Sequence, residues 1–214
     1  MTRILITGAN RGIGAAMAAN AEARGWQVIR ATRAGQGGDV TMDVTDIASI
    51  QAAADALDGP IDILINNAGI IGPERQSTLD MDFDGMAKTF AVNVAGPLAV
   101  SQAFLSHLRD SDSPRILTIS SQMSGMGYAK SDRIAYRASK SAVNKVMQGL
   151  ATDLADVDIP VALIDPGWVR TDMGGDEADL NADDVAAGIL DLAARLTPTE
   201  TGKFFIWNGE ERDF

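Results

Sequence analysis

Cysteine is absent from this chain of 214 residues, and histidine occurs once. The first absence excludes disulfides, thiolate nucleophiles and cysteine-held metal centres. The second leaves imidazole chemistry to His107 alone, which sits in Phe104-Leu105-Ser106-His107-Leu108-Arg109 near the end of a predicted helix; a Ser-His-Asp hydrolase is a poor fit. No metal site is expected. Cations are scarce as well: 18 Lys and Arg stand against 29 Asp and Glu, a formal net charge of −11. No basic patch offsets that charge, so a nucleic-acid backbone would be repelled. Long apolar runs are missing too, and none approaches the ~20 residues of a membrane span. Met1–Thr7 reads as a strand and lacks the length of a secretory leader. The expected location is the cytoplasm.

What is present fits one α/β domain. Apolar residues make up 46% of the chain and charged ones 22%, an ordinary balance for a globule with enough chain for a substantial core. Short apolar runs alternate with helical stretches. Strands are expected at Ile4–Ile6, Gln27–Thr32, Val40–Met42, Ile61–Ile65, Arg115–Ser120, Val161–Asp165 and Phe204–Trp207. Helices are expected at Ala15–Arg24, Asp46–Leu57, Met81–Arg109, Arg133–Val157 and Ala182–Leu196, with Gly25 stopping the first and Asp46 capping the second. The strand runs show no period of two, as when both faces of a strand are buried in a parallel sheet. Strand–helix alternation then implies right-handed crossovers and a doubly wound sheet of about seven strands, with helices on both faces. No internal repeat, low-complexity tract or linker divides the chain.

Two motifs carry the chemistry. Gly8, Gly12 and Gly14 lie between the first strand and first helix, where a turn without side chains lets the backbone approach a pyrophosphate and the helix start offers free N–H groups. This is the dinucleotide-binding turn of a Rossmann-type fold. After the second strand, where an acid would select NAD, the chain has Ala31-Thr32-Arg33-Ala34. Arg33 and Arg11 could converge on a 2′-phosphate, so NADP(H) is expected to be preferred, with NAD(H) possible. Asp43 lies too far along to be the ribose ligand and is expected to face the adenine. The second motif is Tyr136-Arg137-Ala138-Ser139-Lys140. A phenol normally ionises near pH ~10, and an ammonium one helical turn away lowers that value.

The glycine loop, Asn66-Asn67-Ala68-Gly69, Ser120-Ser121, Tyr136-x-x-x-Lys140 and Pro166-Gly167 follow one another in the order and rough spacing of the short-chain dehydrogenase/reductases. The resemblance covers essentially the whole chain. It is closest to the short C-factor-like branch, through the Tyr136–Lys140 run, Pro166-Gly167-Trp168-Val169-Arg170-Thr171-Asp172-Met173-Gly174-Gly175 and the ending Phe204–Gly209. The resemblance implies a hydride-transferring oxidoreductase for small carbonyl or alcohol substrates, forming a homodimer or homotetramer through the two long helices. Tyr136 would donate the proton, Lys140 would lower its pKa and hold the nicotinamide ribose, and Ser121 would polarise the substrate oxygen. Asn93 would position a water in a proton relay to Lys140. Gly8, Asn10, Arg11, Gly12, Ile13 and Gly14 would cradle the pyrophosphate. Asp43, Val44, Asn66 and Ala68 would surround the adenosine, and Pro166, Gly167, Val169 and Thr171 would border the nicotinamide. The stretch between Ser121 and Tyr136 is longer than in many members. Gly174–Asn181 is short, with Leu180 its only large apolar residue; it is expected to be mobile and to leave the pocket open. C-factor-like proteins are linked to intercellular signalling, so a non-catalytic nucleotide sensor on the same fold is the alternative.

Overall fold

The computed structural model describes residues 1–214. The central sheet contains β1 (Arg3–Thr7), β2 (Gln27–Thr32), β3 (Val40–Thr41), β4 (Ile63–Asn66), β7 (Arg115–Ile119), β8 (Val161–Asp165), β9 (Phe204–Ile206) and β10 (Glu211–Arg212), while β5 (Gln76–Ser77) and β6 (Asp80–Met81) form a separate antiparallel ribbon. The order across the sheet is β10-β9-β8-β7-β4-β1-β2-β3. All neighbours run parallel except β10, which returns antiparallel on β9.

Each central strand divides its apolar residues between two cores. Ile4 and Ile6, Ile63 and Ile65, Leu117 and Ile119, and Ala162 and Ile164 face one side. Leu5, Leu64, Ile116, Val161 and Leu163 face the other. The cores hold 21 buried residues apiece, so neither face of the sheet can be given to water. Helices α1 (Gly12–Ala23) and α7 (Ala182–Arg195) cover the first face. Helices α2 (Ile47–Asp55), α4 (Gly96–Ala103) and α6 (Ile134–Asp153) cover the second. Burial of each such aliphatic side chain stabilises the fold by about 1.5–3 kcal/mol.

The local signals act as expected at several ends. Gly25 takes φ 77° after α1, a conformation costly for any residue with a Cβ. Asp46 accepts from the Ala48 N–H and caps α2. His107 is structural: its Nε2 meets the Leu57 carbonyl at 2.9 Å and its ring leans on Phe104.

The expected helix over Met81–Arg109 breaks into pieces. Asp82 caps α3 (Phe83–Phe90) through the Gly85 N–H. A π-helical turn follows at Ala91–Ala95, then α4, then the short α5 (Leu105–Arg109). Pro97, with no N–H to give the helix, sits just after the widened turn. The sheet has eight strands where about seven are expected. The added edge follows a turn at Asn208-Gly209, with Gly209 at φ 87°, and places Arg212 opposite Phe204.

One buried cation anchors α7 to the sheet. The Arg115 side chain on β7 donates to the terminal carbonyls of α7 at Ala193 (2.7 Å) and Ala194 (2.8 Å), supplying partners that the last turn of a helix lacks. Arg115→Met is expected to orphan those carbonyls and lower the unfolding free energy by about 1–3 kcal/mol, with cofactor affinity unchanged. Urea denaturation measures it, and a loss below about 0.5 kcal/mol would contradict the capping role.

Candidate active site

From β1 the chain winds outward to β2 and β3, then crosses back to place β4 on the other side of β1. The loops leaving β1 and β4 therefore part at the carboxyl ends of those strands, where a doubly wound sheet opens a crevice. Thr7 and Asn67 stitch the two loops together. Thr7 Oγ1 accepts from the N–H groups of Asn67 (3.0 Å) and Ala68 (2.9 Å), while Asn67 Nδ2 donates to the carbonyls of Thr7 (2.9 Å) and Gly8 (3.2 Å). Sequence reasoning gave these two side chains no role.

The glycines fit this stitching. Gly8 has φ 66°, and a Cβ on Gly14 would lie 2.4 Å from the Gly8 carbonyl oxygen and 2.5 Å from Asn67 Nδ2. Arg11, at the N-cap of α1, forms no side-chain cap bond. The first N–H groups of α1, at Gly12, Ile13 and Gly14, thus have no intrahelical partner, and with the helix dipole they suit a pyrophosphate. Asn10 lies exposed in the same turn.

At the ends of β2 and β3, a shallow cavity of about 380 Å³ is lined by Arg33, Ala34, Gln36, Thr41, Asp43 and Ser49. Asp43 accepts from the Thr45 hydroxyl (2.7 Å) and N–H (2.9 Å). The Thr45 bonds hold its carboxyl below the usual range, with the Arg33 and Lys88 charges adding to the effect. Arg11 does not line this cavity. It pairs with Asp172 at 3.2 Å, both side chains largely exposed, so the expected convergence of Arg11 and Arg33 is not the arrangement seen. The reason is local: the loop after Thr171 offers Arg11 a carboxylate within reach. Asn66 also departs from its expected place. Its side chain is buried under α4, with Nδ2 donating to Ser101 Oγ at 3.0 Å, which leaves only its backbone for the crevice. Val44 packs against Gly96, and Ala68 beside Gly8.

Ser121, Tyr136 and Lys140 meet beyond the end of β7. Ser121 accepts from the Met123 N–H at 3.1 Å and caps the short turn Gln122–Ser124. Ser124 Oγ, Asn144 and Ser120 bond in series and pin that turn to α6. Tyr136 and Lys140 lie one turn apart on α6, both buried. Lys140 donates to the Ile119 carbonyl at 2.8 Å, and its Nζ is 5.6 Å from the Tyr136 ring centre.

Burial changes the expected acid–base balance. Desolvation lowers the Lys140 pKa to about 8. The same cause raises the Tyr136 phenol above its ordinary value, opposed by the Ser121 hydroxyl and reinforced by the Asp165 charge. Taking the phenolate out of water outweighs the lowering by the Ser121 hydroxyl and the Arg133 charge, so the net direction for the phenol is upward rather than the expected downward one. Asn93 sits in the π-helical turn. Its Oδ1 accepts from the Ile70 N–H (2.9 Å), and its Nδ2 donates to the Ile70 carbonyl (2.9 Å) and Ser139 Oγ (3.0 Å). Gly69 packs between Asn93 and Lys140.

The Pro166-Gly167 turn closes the far wall, with Gly167 at φ 73° and Val169 buried. Thr171 lies against Gly12 and accepts from the Gly174 N–H at 3.2 Å. The segment Gly174–Asn181 is tied down more than its composition implies. Trp168 Nε1 donates to the Gly174 carbonyl (2.8 Å) and Arg170 Nε to the Ala178 carbonyl (2.9 Å); Leu180 exchanges backbone bonds with Trp168 and Arg170. Side chains before the segment hold it, a signal that counting apolar residues within it misses.

Comparison with known proteins agrees with this geometry. The short chain dehydrogenase family matches residues 2–181. The C-signal protein of Myxococcus xanthus is 40% identical over 161 residues, covering 74% of this chain and 96% of that protein. The NADPH-bound carbonyl reductase from chicken fatty liver superposes with a TM-score of 0.91 at 27% identity, over 100% of this chain and 99% of the other. A 3-ketoacyl-(acyl-carrier-protein) reductase from Brucella melitensis, complexed with NADH, gives a TM-score of 0.83 at 26% identity, over 96% of each chain. The chain belongs to the short-chain dehydrogenase/reductase family of oxidoreductases.

Proposed function

We propose that this protein transfers a hydride between NADP(H) and a small carbonyl or alcohol, with Tyr136 as the proton donor and acceptor. The observation that carries the reading is the burial of Ser121, Tyr136 and Lys140 together at the edge of the dinucleotide crevice. The nicotinamide ring, when bound, supplies or takes the hydride. The protein's own groups do the rest. Ser121 holds the substrate oxygen, and the Tyr136 phenol, kept protonated by its dry surroundings, gives that oxygen a proton as the carbonyl is reduced. Lys140 presents a cation at the ribose side, and Asn93 holds the Ile70 backbone beside it. The glycine loop and the start of α1 hold the pyrophosphate, and Arg33 takes the 2′-phosphate.

A signalling role is the second reading, favoured by the 40% identity to C-signal. The buried Lys140 weighs against a purely non-catalytic sensor. Burying an ammonium is costly, and while sensing could use Lys140 at the ribose, it gives no reason to keep the Tyr136 phenol and the Ser121 hydroxyl buried with it.

Tyr136→Phe keeps the ring but removes the proton. Carbonyl reduction is expected to fall by about 10²-fold or more with cofactor binding retained; retention of most activity would exclude this donor. The unaltered protein is expected to prefer NADPH over NADH by at least about tenfold, or ~1.4 kcal/mol, and Arg33→Asp to abolish or reverse that preference. Tighter binding of NADH by the unaltered protein would refute the assignment. The buried ammonium also sets a pH dependence. With its pKa lowered to about 8, the unfolded chain binds more protons above that pH, so native stability rises from there toward the ordinary lysine value. Unfolding free energies of wild type and Lys140→Met, without cofactor, should therefore diverge in the wild type's favour by about 2–3 kcal/mol between pH 7 and pH 10. A constant difference would mean that the ammonium is not desolvated.

A further inference from the structure

Asp165 is a buried carboxylate for which the proposed chemistry has no task. It ends β8, is 3% exposed, and joins its own turn to two segments that are remote in sequence. Its Oδ1 accepts from the Gln122 N–H (2.9 Å) and the Gly167 N–H (3.0 Å). Gln122 directly follows Ser121, and Gly167 lies in the wall expected to border the nicotinamide. Its Oδ2 pairs with Arg212 from β10. Arg212 reaches this point across the Phe204 ring, 5.3 Å from its centre, and its buried Nε has no hydrogen-bond partner. The last strand thus accepts an unmet donor and still delivers a cation to Asp165.

We propose that the Asp165–Arg212 pair is a positioning element of the active site, fixing the Ser121 turn and the Pro166-Gly167 turn to one anchor. The proposal rests on the carbonyl-reductase reading for its kinetic consequence, though not for its geometry. Tyr136 is faced by Arg133 and Lys140 from its own helix, by Ser121 from the end of β7 and by Asp165 from β8. Among these, Asp165 is the anion, and a nearby anion disfavours the phenolate. Arg212 offsets part of that charge. Removal of either partner should therefore move the phenol in opposite directions, which a merely structural contact would not do.

Two variants and their combination test this. Asp165→Asn keeps an oxygen for the Gln122 and Gly167 N–H groups but removes the charge. Arg212→Met leaves the carboxylate buried without its partner. In carbonyl reduction Tyr136 must be protonated, so activity falls as pH rises through its pKa. The alkaline limb of the pH–rate profile should move down by about half a unit or more in Asp165→Asn and up by a similar amount in Arg212→Met. Arg212→Met should also lose about tenfold in turnover, because an unpaired buried charge disrupts both turns, and the Asp165→Asn/Arg212→Met double variant should recover part of that loss. The same opposite shifts should appear in the phenolate absorbance of the cofactor-free protein carrying Tyr128→Phe, where Tyr136 is the remaining tyrosine. That measurement reads the pair even if no carbonyl substrate is turned over, a result that would overturn the reductase reading alone. Shifts in the same direction, no shift, or a double variant no better than Arg212→Met would overturn the positioning role.

Discussion

A parallel sheet buried on both faces can present polar chemistry only at the ends of its strands. That constraint governs this molecule. Ile4, Ile6 and Leu5, or Ile63, Ile65 and Leu64, are committed to two dry cores within a single strand, so the candidate site residues appear where strands stop: Gly8 after β1, Arg33 after β2, Asn67 after β4, Ser121 after β7 and Gly167 after β8. The reversal of strand order at β1 and β4 gathers these ends around one crevice. The glycines at Gly8 and Gly14 then bring backbone close enough to backbone for the Thr7–Asn67 stitch to hold the crevice at a fixed width.

The same dryness shapes the acid–base groups. Tyr136 and Lys140 occupy one face of α6 because they are one turn apart, and that face is pressed onto the sheet. Burial then drives both toward their neutral forms, the phenol upward and the ammonium downward. The protein resists this locally, through the Ile119 carbonyl at Lys140 and the Ser121 hydroxyl at Tyr136. A phenol that stays protonated suits the proposed transfer of a proton to a carbonyl oxygen, and a Lys140 value lowered to about 8 still leaves a cation beside it near neutral pH.

Much of this was legible in the residues. Val161–Asp165 and Gln27–Thr32 match the observed strands to the residue, because short stretches rich in β-branched and aliphatic residues near a proline or glycine signal admit few other structures. The glycine loop and the Tyr136–Lys140 pair are local in sequence, so spacing alone puts the glycines between β1 and α1 and the pair on one face of α6. What sequence could not show depends on contacts between distant segments. The path of Arg11 toward Asp172, the retreat of the Asn66 side chain beneath α4, and the Asp165 anchor each need a partner from a loop whose position only the fold decides. Helix breaks at Ala91–Ala95 and the charged edge strand β10 were missed for a related reason. Periodicity averages over a widened turn, and a two-residue strand is too short to carry a pattern.

Hydride transfer at this crevice is the central claim, and isotopic labelling tests it most directly. Reduced NADP carrying deuterium at both positions of the transferring carbon of the nicotinamide should yield an alcohol with deuterium on the former carbonyl carbon, one for each cofactor oxidised. Cofactor that binds but stays reduced with every carbonyl in a broad panel of small aldehydes and ketones, or alcohol formed without the label, would contradict it.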